Sequence, residues 1–310
     1  MDWKAEIDRA ARRIDGHTVV TPVMRTGALW DAEVELKLEH MQHTASFKAR
    51  GAFNTLIASD VPEGGVVAAS GGNHGAAVAY AARTLGHKAQ IFVPEIAGPS
   101  KIALIERTGA DLTVVPGEYA DALAMAERYE AERGAMQVHA YDAPLTVAGQ
   151  GTCLREWETQ GLEADTVLIA VGGGGLIGGA LAWAQATGSA RKIVAVEPMT
   201  CNALRSALDK GGPVDVPVSG VAANALGARK IGQICYDLAS AQGIPSVEVP
   251  DGAIIEAQKA LWQAHRILVE PAGACALAAL QWGAYKPEPG EKVAVLICGA
   301  NPAPDPLAGS

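Results

Sequence analysis

The chain has 310 residues, 49% of them hydrophobic and 19% charged, which is enough for two modest α/β domains with sizeable cores and unlike a disordered segment. A formal net charge of -9 argues against nucleic acid or an anionic membrane surface as a partner. The five cysteines, Cys153, Cys201, Cys235, Cys275 and Cys298, form no CxxC pair, so a zinc ribbon and a disulfide framework are excluded and a cytoplasmic protein with reduced thiols is expected.

The N-terminus predicts an amphipathic helix with Ile7, Ala10, Ala11 and Ile14 on one face, too charged for a signal peptide. No apolar run approaches the roughly 20 residues of a membrane span. Short runs over 34–38, 66–69, 90–93, 112–115, 167–171, 193–196 and 293–297 read as strands. Helical periodicity predicts helices over 76–85, 101–108, 119–133, 203–210, 254–267 and 274–281, with others opening near Lys48 and Ile177. The alternation implies βαβ units and mainly parallel sheets. Residues 210–226 are the least periodic stretch and read as a long surface or active-site loop, and residues 302–306 as an irregular tail.

Three segments carry the chemistry. In Thr44-Ala45-Ser46-Phe47-Lys48-Ala49-Arg50-Gly51-Ala52 a single lysine sits between small and aromatic residues. An ammonium among apolar neighbours is desolvated, its pKa falls, and the neutral amine needed for attack on a carbonyl becomes available; the bland alternative is a solvated helix lysine. In Ser70-Gly71-Gly72-Asn73-His74-Gly75 a strand turns into a helix, leaving backbone N–H groups free for an anion, although Ser70 and Asn73 also suit plain helix capping. Gly172-Gly173-Gly174-Gly175-Leu176 forms a second such cradle, for which a phosphate is the natural guest.

A lysine for a carbonyl, a cradle for a phosphate and a polar turn for a carboxylate are what a pyridoxal 5'-phosphate enzyme acting on an amino acid requires. With Ala148-Gly149-Gln150-Gly151-Thr152, Val196-Glu197-Pro198, Glu270-Pro271-Ala272-Gly273-Ala274 and Cys298-Gly299-Ala300-Asn301, all in order, the chain resembles the fold-type II pyridoxal-phosphate enzymes, the tryptophan synthase β superfamily, and within it the serine/threonine dehydratase and serine racemase family. The resemblance implies an α/β fold of two domains, each a mainly parallel twisted sheet flanked by helices. A large domain would comprise 1–64 and 143–310, with a small domain, 65–142, inserted in it and the active site between them. It further implies a homodimer, a small-molecule amino-acid substrate, and no regulatory domain with its feedback control.

By the same resemblance Lys48 holds the cofactor covalently and then takes the Cα proton. Gly172, Gly173, Gly174 and Gly175 hold the phosphate, with Leu176 closing the turn. Asn73 meets the ring hydroxyl, and the Ser70 hydroxyl with the N–H groups of Gly71, Gly72 and Asn73, next to His74, clamps the substrate carboxylate. Phe47 either packs beside the cofactor or is a core aromatic. His74 and His139 are weaker candidates for catalysis than for structural hydrogen bonding. Gln150, Thr152 and Glu270 fit either the cleft or a helix start.

Four departures from the family pattern bear on the reaction. Cys298 stands where relatives place a serine or threonine against the pyridine nitrogen; a thiol is a weak donor, which suits β-elimination better than transamination. Gly71 replaces the hydroxyl that serine racemases use on the opposite cofactor face, so racemisation is not expected. Glu197 is present without its aspartate partner, the position being Ala203, so no metal site is expected. Ala45 replaces the usual glycine, a small steric change, and Ser219 a common aspartate. The expected reaction is dehydration and deamination of L-threonine or L-serine to a 2-oxo acid and ammonia. A 3-hydroxyaspartate dehydratase, needing an extra cation such as Arg229 or Lys230, and an amino-acid-binding regulator on the same fold are the alternatives.

Overall fold

A computed structural model describes residues 1–304, so residues 305 and 306 of the expected tail lie outside the described residues. In chain order the strands are β1 (Val23–Thr26), β2 (Val34–Lys37), β3 (Val66–Ala69), β4 (Ala89–Pro94), β5 (Asp111–Val115), β6 (Met136–Gln137), β7 (Thr166–Ala170), β8 (Lys192–Pro198), β9 (Ser246–Val249) and β10 (Val293–Leu296). The helices are α1 (Trp3–Ile14), α2 (Lys48–Ala58), α3 (Asn73–Thr84), α4 (Pro99–Glu106), α5 (Tyr119–Arg133), α6 (Pro144–Thr159), α7 (Gly175–Thr187), α8 (Ala203–Lys210), α9 (Ala223–Leu226), α10 (Gln233–Gln242), α11 (Asp251–His265) and α12 (Pro271–Gln281).

A six-stranded sheet runs β1-β2-β10-β7-β8-β9 and a four-stranded one β5-β4-β3-β6. Every pairing is parallel except β1 with β2. The central strands β2, β3, β7 and β10 are buried along their whole length, as sheets covered on both faces by helices must be. All strands of the smaller sheet fall between residues 66 and 137.

Helices α4 and α12 begin two and three residues earlier than their periodicity suggests, because proline opens each of them where a missing N–H costs nothing. Strands β1, β6 and β9 leave no apolar run in the sequence, since they are short and mostly half-buried. The unpredicted α6 carries Gly149 and Gly151 in its interior, which weaken its helical signal. Packing explains both. A Cβ on Gly149 would lie 2.6 Å from the Gly51 Cα of α2, and one on Gly151 would lie 2.9 Å from the Gly179 carbonyl oxygen of α7.

The loop before α2 is pinned to the end of β10. Ser46 and Gly299 form an antiparallel bridge, the Phe47 N–H donates to the Cys298 carbonyl (3.2 Å), and the Ala300 N–H to that of Ala45 (2.9 Å). Asn301 Nδ2 donates to the Thr44 carbonyl at 2.8 Å. Holding this path puts Thr44 at φ 57° and Ala45 at φ 55°. The cost of alanine at position 45 therefore lies in a left-handed backbone, on the order of 1 kcal/mol, and not in the size of its methyl group.

Behind α2 lies a buried network of charges. Arg50 donates from Nε and Nη2 to the two oxygens of Glu39 (2.8 and 2.7 Å) and from Nη2 to Glu156 (3.0 Å). Lys37 donates to Glu156 (2.6 Å), to Gln160 (2.7 Å) and to the Thr21 carbonyl (2.8 Å), while the Thr21 hydroxyl donates to Glu39. Burial by itself would raise the Glu39 pKa, but the Arg50 charge and hydrogen bonds outweigh it and hold the carboxylate below its ordinary value. This set fixes α2 on the sheet from the side away from the cleft.

Candidate active site

Where parallel strands end, their connecting turns converge, and such crevices at the carboxyl ends of strands are the usual place for ligands in α/β sheets. Here the ends of β7 and β10 meet the starts of α2, α3 and α7 in a cleft lined by Phe47, Lys48, Asn73, Gly172, Gly173, Gly174, Gly175, Leu176, Glu270 and Cys298, with Ala225 and Leu226 of α9. The irregular stretch 210–226 thus reaches the cleft through its last residues.

Lys48 is the first residue of α2, so its side chain leaves the helix at the mouth of the cleft. Its Nζ donates to the Ala140 carbonyl (2.7 Å) and stands 5.2 Å from the centre of the Phe47 ring. No carboxylate lies within 4 Å of it among the described residues. Burial pushes its pKa down to about 8. At pH 7 about a tenth of the amine is then neutral and nucleophilic, against well under a thousandth at the ordinary 10.5.

The glycines opposite admit no side chain. A Cβ on Gly173 would sit 2.2 Å from the Tyr141 ring, one on Gly172 2.9 Å from Leu226 Cα, and Gly174 adopts φ 92°. With Gly175 opening α7, the first N–H groups of the helix have no intrahelical partner and point at the end of β7. The cradle and the unpaired amine across the cleft fit a phosphate and an aldehyde on one small molecule, as the donor set of pyridoxal phosphate requires.

Of the first glycine turn, Asn73 lines the cleft. Its Nδ2 donates to Glu270 (2.6 Å) and its Oδ1 accepts from Asn301 (2.8 Å). Ser70, Gly71 and Gly72 precede it in the same turn and His74 follows it in α3. The Ser70 hydroxyl accepts from the Gly72 N–H (3.3 Å) and does not cap α3, whose N-cap is Gly72. A Cβ on Gly71 would lie 2.6 Å from Ala97 Cβ and 2.9 Å from Val93 Cγ1, so the turn has no room there for a hydroxyl-bearing side chain. His74 Nε2 meets the Val138 carbonyl at 2.8 Å, and burial followed by the Lys48 charge pushes its pKa down to about 3. It is a neutral structural histidine.

His139 Nδ1 accepts the N–H groups of Tyr141 and Asp142, and so serves a local turn. Gln150 and Thr152 lie in α6 away from the cleft, Thr152 Oγ1 accepting from Arg50 at 3.4 Å. Arg229 and Lys230 are exposed, and Lys230 pairs with Asp215 (3.2 Å). Glu197 gives its oxygens to the N–H groups of Leu204 (2.8 Å) and Arg205 (2.7 Å) and so caps α8; burial raises its pKa to about 7. Ser219 is an exposed loop residue whose carbonyl accepts from Cys201 Sγ.

Cys298 Sγ donates to the Ala272 carbonyl at 3.3 Å, and burial keeps it a neutral thiol. Glu270 is buried, and burial raises its pKa to about 7 against the opposing Asn73 hydrogen bond and Lys101 charge. Three residues escaped the sequence reading: Tyr141, which packs on the glycine loop, Leu226, and Lys101, whose Nζ donates to the Asn224 carbonyl at 3.1 Å.

Comparison with known proteins agrees with this geometry. Residues 14–299 match the family model described as "Pyridoxal-phosphate dependent enzyme". The chain belongs to that family. It is 34% identical over 270 residues to the phenylserine dehydratase of Ralstonia pickettii, covering 86% of this chain and 82% of the relative. The structure of maize serine racemase superposes with a TM-score of 0.90 at 30% identity, covering 96% of this chain and 93% of that one. A threonine deaminase from T.th. gives a TM-score of 0.87 at 32% identity, covering 96% and 97%. This family member is thus a fold-type II enzyme whose cofactor is pyridoxal phosphate.

Proposed function

We propose that the chain eliminates water from a β-hydroxy-α-amino acid, L-threonine or L-serine foremost, and releases a 2-oxo acid and ammonia, working from the cleft between a small domain, 65–142, and the rest. The observation that carries this reading is the pairing of Lys48, an amine with a pKa of about 8, with a buried Cys298 whose hydrogen is committed to Ala272. Threonine deaminase and phenylserine dehydratase, two of its relatives, are both named for β-hydroxy amino acids.

Pyridoxal phosphate, when bound, supplies the electron sink that makes a substrate Cα proton acidic. The N–H groups of Gly172 to Gly175 hold its phosphate, and Lys48 its aldehyde. Lys48, whose lowered pKa favours the neutral amine, would take the Cα proton. Asn73 positions the ring, tied on one side to Glu270 and on the other to Asn301. His74 stays uncharged and so adds no repulsion beside Lys48. The Cys298 thiol donates no proton toward the cleft, which disfavours long-lived carbanion chemistry and leaves prompt loss of the β-hydroxyl as the productive route. With Val93 and Ala97 filling the side-chain position of Gly71, that position offers no hydroxyl for racemisation.

The test is release of 2-oxo acid and ammonia by the cofactor-loaded protein from L-threonine, L-serine, their D-enantiomers, phenylserine and the 3-hydroxyaspartates. Preference for L-threonine or L-serine without accumulation of D-serine is expected. Sustained D-serine formation, or silence with every substrate, would overturn the proposal.

A further inference from the structure

The phosphate cradle, Gly172 to Gly175, is glycine throughout, the residue that loses most conformational freedom on folding, yet its N–H groups have to converge for an anion to be held. Every side-chain position along it is filled from outside. A Cβ on Gly172 would lie 2.9 Å from Leu226 Cα, and one on Gly174 2.6 Å from Cys235 Cβ of α10. Tyr141 takes the other two: a Cβ on Gly173 would lie 2.2 Å from its ring atom Cδ1, and one on Gly175 3.0 Å from its Cα. The Gly173 carbonyl is engaged as well. It accepts the Gly232 N–H at 3.1 Å, so the negative end of that peptide is held by a donor that does not line the cleft.

Tyr141 is suited to hold the loop because it is itself held. Its hydroxyl donates to the Lys230 carbonyl (3.3 Å), its N–H donates to His139 Nδ1 (3.3 Å), and its ring meets the His139 ring edge-on with 5.0 Å between centres. The next side chain, Asp142, accepts the Ile234 N–H at 3.0 Å and so supplies α10 with the cap that its own N-cap, Gly232, lacks. The stretch leading back from β6 is thereby fastened to α10 while the flat ring packs on the loop that opens α7. Tyr141 is not among the residues lining the cleft, so its effect passes through the glycines.

We propose that Tyr141 is a positioning residue for the cofactor phosphate, its ring preorganising Gly172 to Gly175 so that their N–H groups converge before the anion arrives. The inference rests on the cofactor, and not on which substrate is eliminated. The effect is confined to the phosphate end. The aldehyde end is served by Lys48, whose Nζ donates to the neighbouring Ala140 carbonyl (2.7 Å), and a disturbance passed along that peptide weakens every aldehyde alike.

The experiment titrates the apoprotein with pyridoxal phosphate and with pyridoxal, which keeps the ring and aldehyde but has no phosphate, in wild type, Tyr141→Ala, Tyr141→Leu and Tyr141→Phe. Affinity is read from cofactor absorbance, and the melting temperature of each apoprotein is recorded alongside. In Tyr141→Ala the preference for pyridoxal phosphate over pyridoxal is expected to fall about 10- to 100-fold, the weight of one or two charge-assisted hydrogen bonds. Phenylalanine keeps the ring and gives up only the bond to Lys230, so it should hold the preference within about threefold of wild type. An unchanged preference in Tyr141→Ala, whether both ligands weaken or neither does and whatever the melting temperature, overturns the proposal. So does a loss in Tyr141→Phe as large as in Tyr141→Ala, or a wild type with no preference to lose. Should Tyr141→Ala fail to fold, Tyr141→Leu, which fills space without a flat face, decides by the same ratio; failure of both to fold makes the ring a core element and overturns the proposal too.

Discussion

Two residues apart on α2, Lys48 and Arg50 meet opposite electrostatic fates. Arg50 is buried with Glu39 and Glu156 at hydrogen-bond distance, and burial is more than offset, so its charge is held. Lys48 has one backbone carbonyl and an aromatic face, and burial wins, so its charge is given up readily. The same contrast separates whole regions. Behind the helix, Lys37, Glu39, Arg50 and Glu156 satisfy one another, the first three of them fully buried. On the cleft side Lys101 and Glu270 are buried and Lys48 is desolvated, with no ion pair to any of them among the described residues. A protein can bury charge for rigidity or for reactivity, and the difference lies in whether partners are supplied.

The sharpest way to break that contrast is at Lys48. Lys48→Ala is expected to lower turnover by at least about 10³-fold while leaving the melting temperature near wild type, measured by steady-state kinetics and calorimetry. On the wild-type apoprotein, borohydride trapping of pyridoxal phosphate should speed up as pH rises through about 8, where the neutral amine forms, and not through the ordinary 10.5. Arg50→Met attacks the other region, leaving Glu39 buried and unpaired, and should cost about 3–5 kcal/mol in urea denaturation. Replacing Glu39 and Arg50 together by methionine should cost less than Arg50→Met alone, and a larger loss would contradict the pairing argument.

Glu270→Gln tests the unpaired side with smaller stakes. The ordinary carboxyl pKa of 4.5 is raised to about 7 by burial, so folding binds a proton between those values and stability falls as pH rises through that window. Glutamine, which still accepts the Asn73 hydrogen bond, should be more stable than wild type by roughly 1–3 kcal/mol at pH 8, with the gain gone by pH 4.5. Smallest is Ala45→Gly, which relieves a left-handed backbone at φ 55° and should add about 0.5–1 kcal/mol. Unchanged stability there would mean that Thr44, at φ 57°, sets the strain instead.

What the sequence made legible was what local strings encode. Lys48 opening a helix, the glycine loop opening α7, and the alternation that builds two mainly parallel sheets all follow from neighbours within a few residues. The rest depends on distant parts of the chain. Helix α6 was obscured by Gly149 and Gly151, whose purpose emerges only when α2 and α7 arrive beside them. Lys101 reads as an ordinary helix lysine until Asn224, more than a hundred residues later, closes over it. The turn over residues 70–75 looks like a complete anion site in sequence, yet the Ser70 hydroxyl occupies one of its donors in three dimensions.

The clasp of residues 44–47 by residues 298–301 also sets an order of events during synthesis. Lys48 leaves the ribosome early, but the strand end that aims it is made some 250 residues later. At about 5–20 residues per second, the nascent chain carries Lys48 on an unfastened loop, as an ordinary solvated ammonium, for tens of seconds. Cofactor capture is therefore expected to follow synthesis, and termination between residues 48 and 298 leaves a chain that holds the lysine without the strand end that aims it.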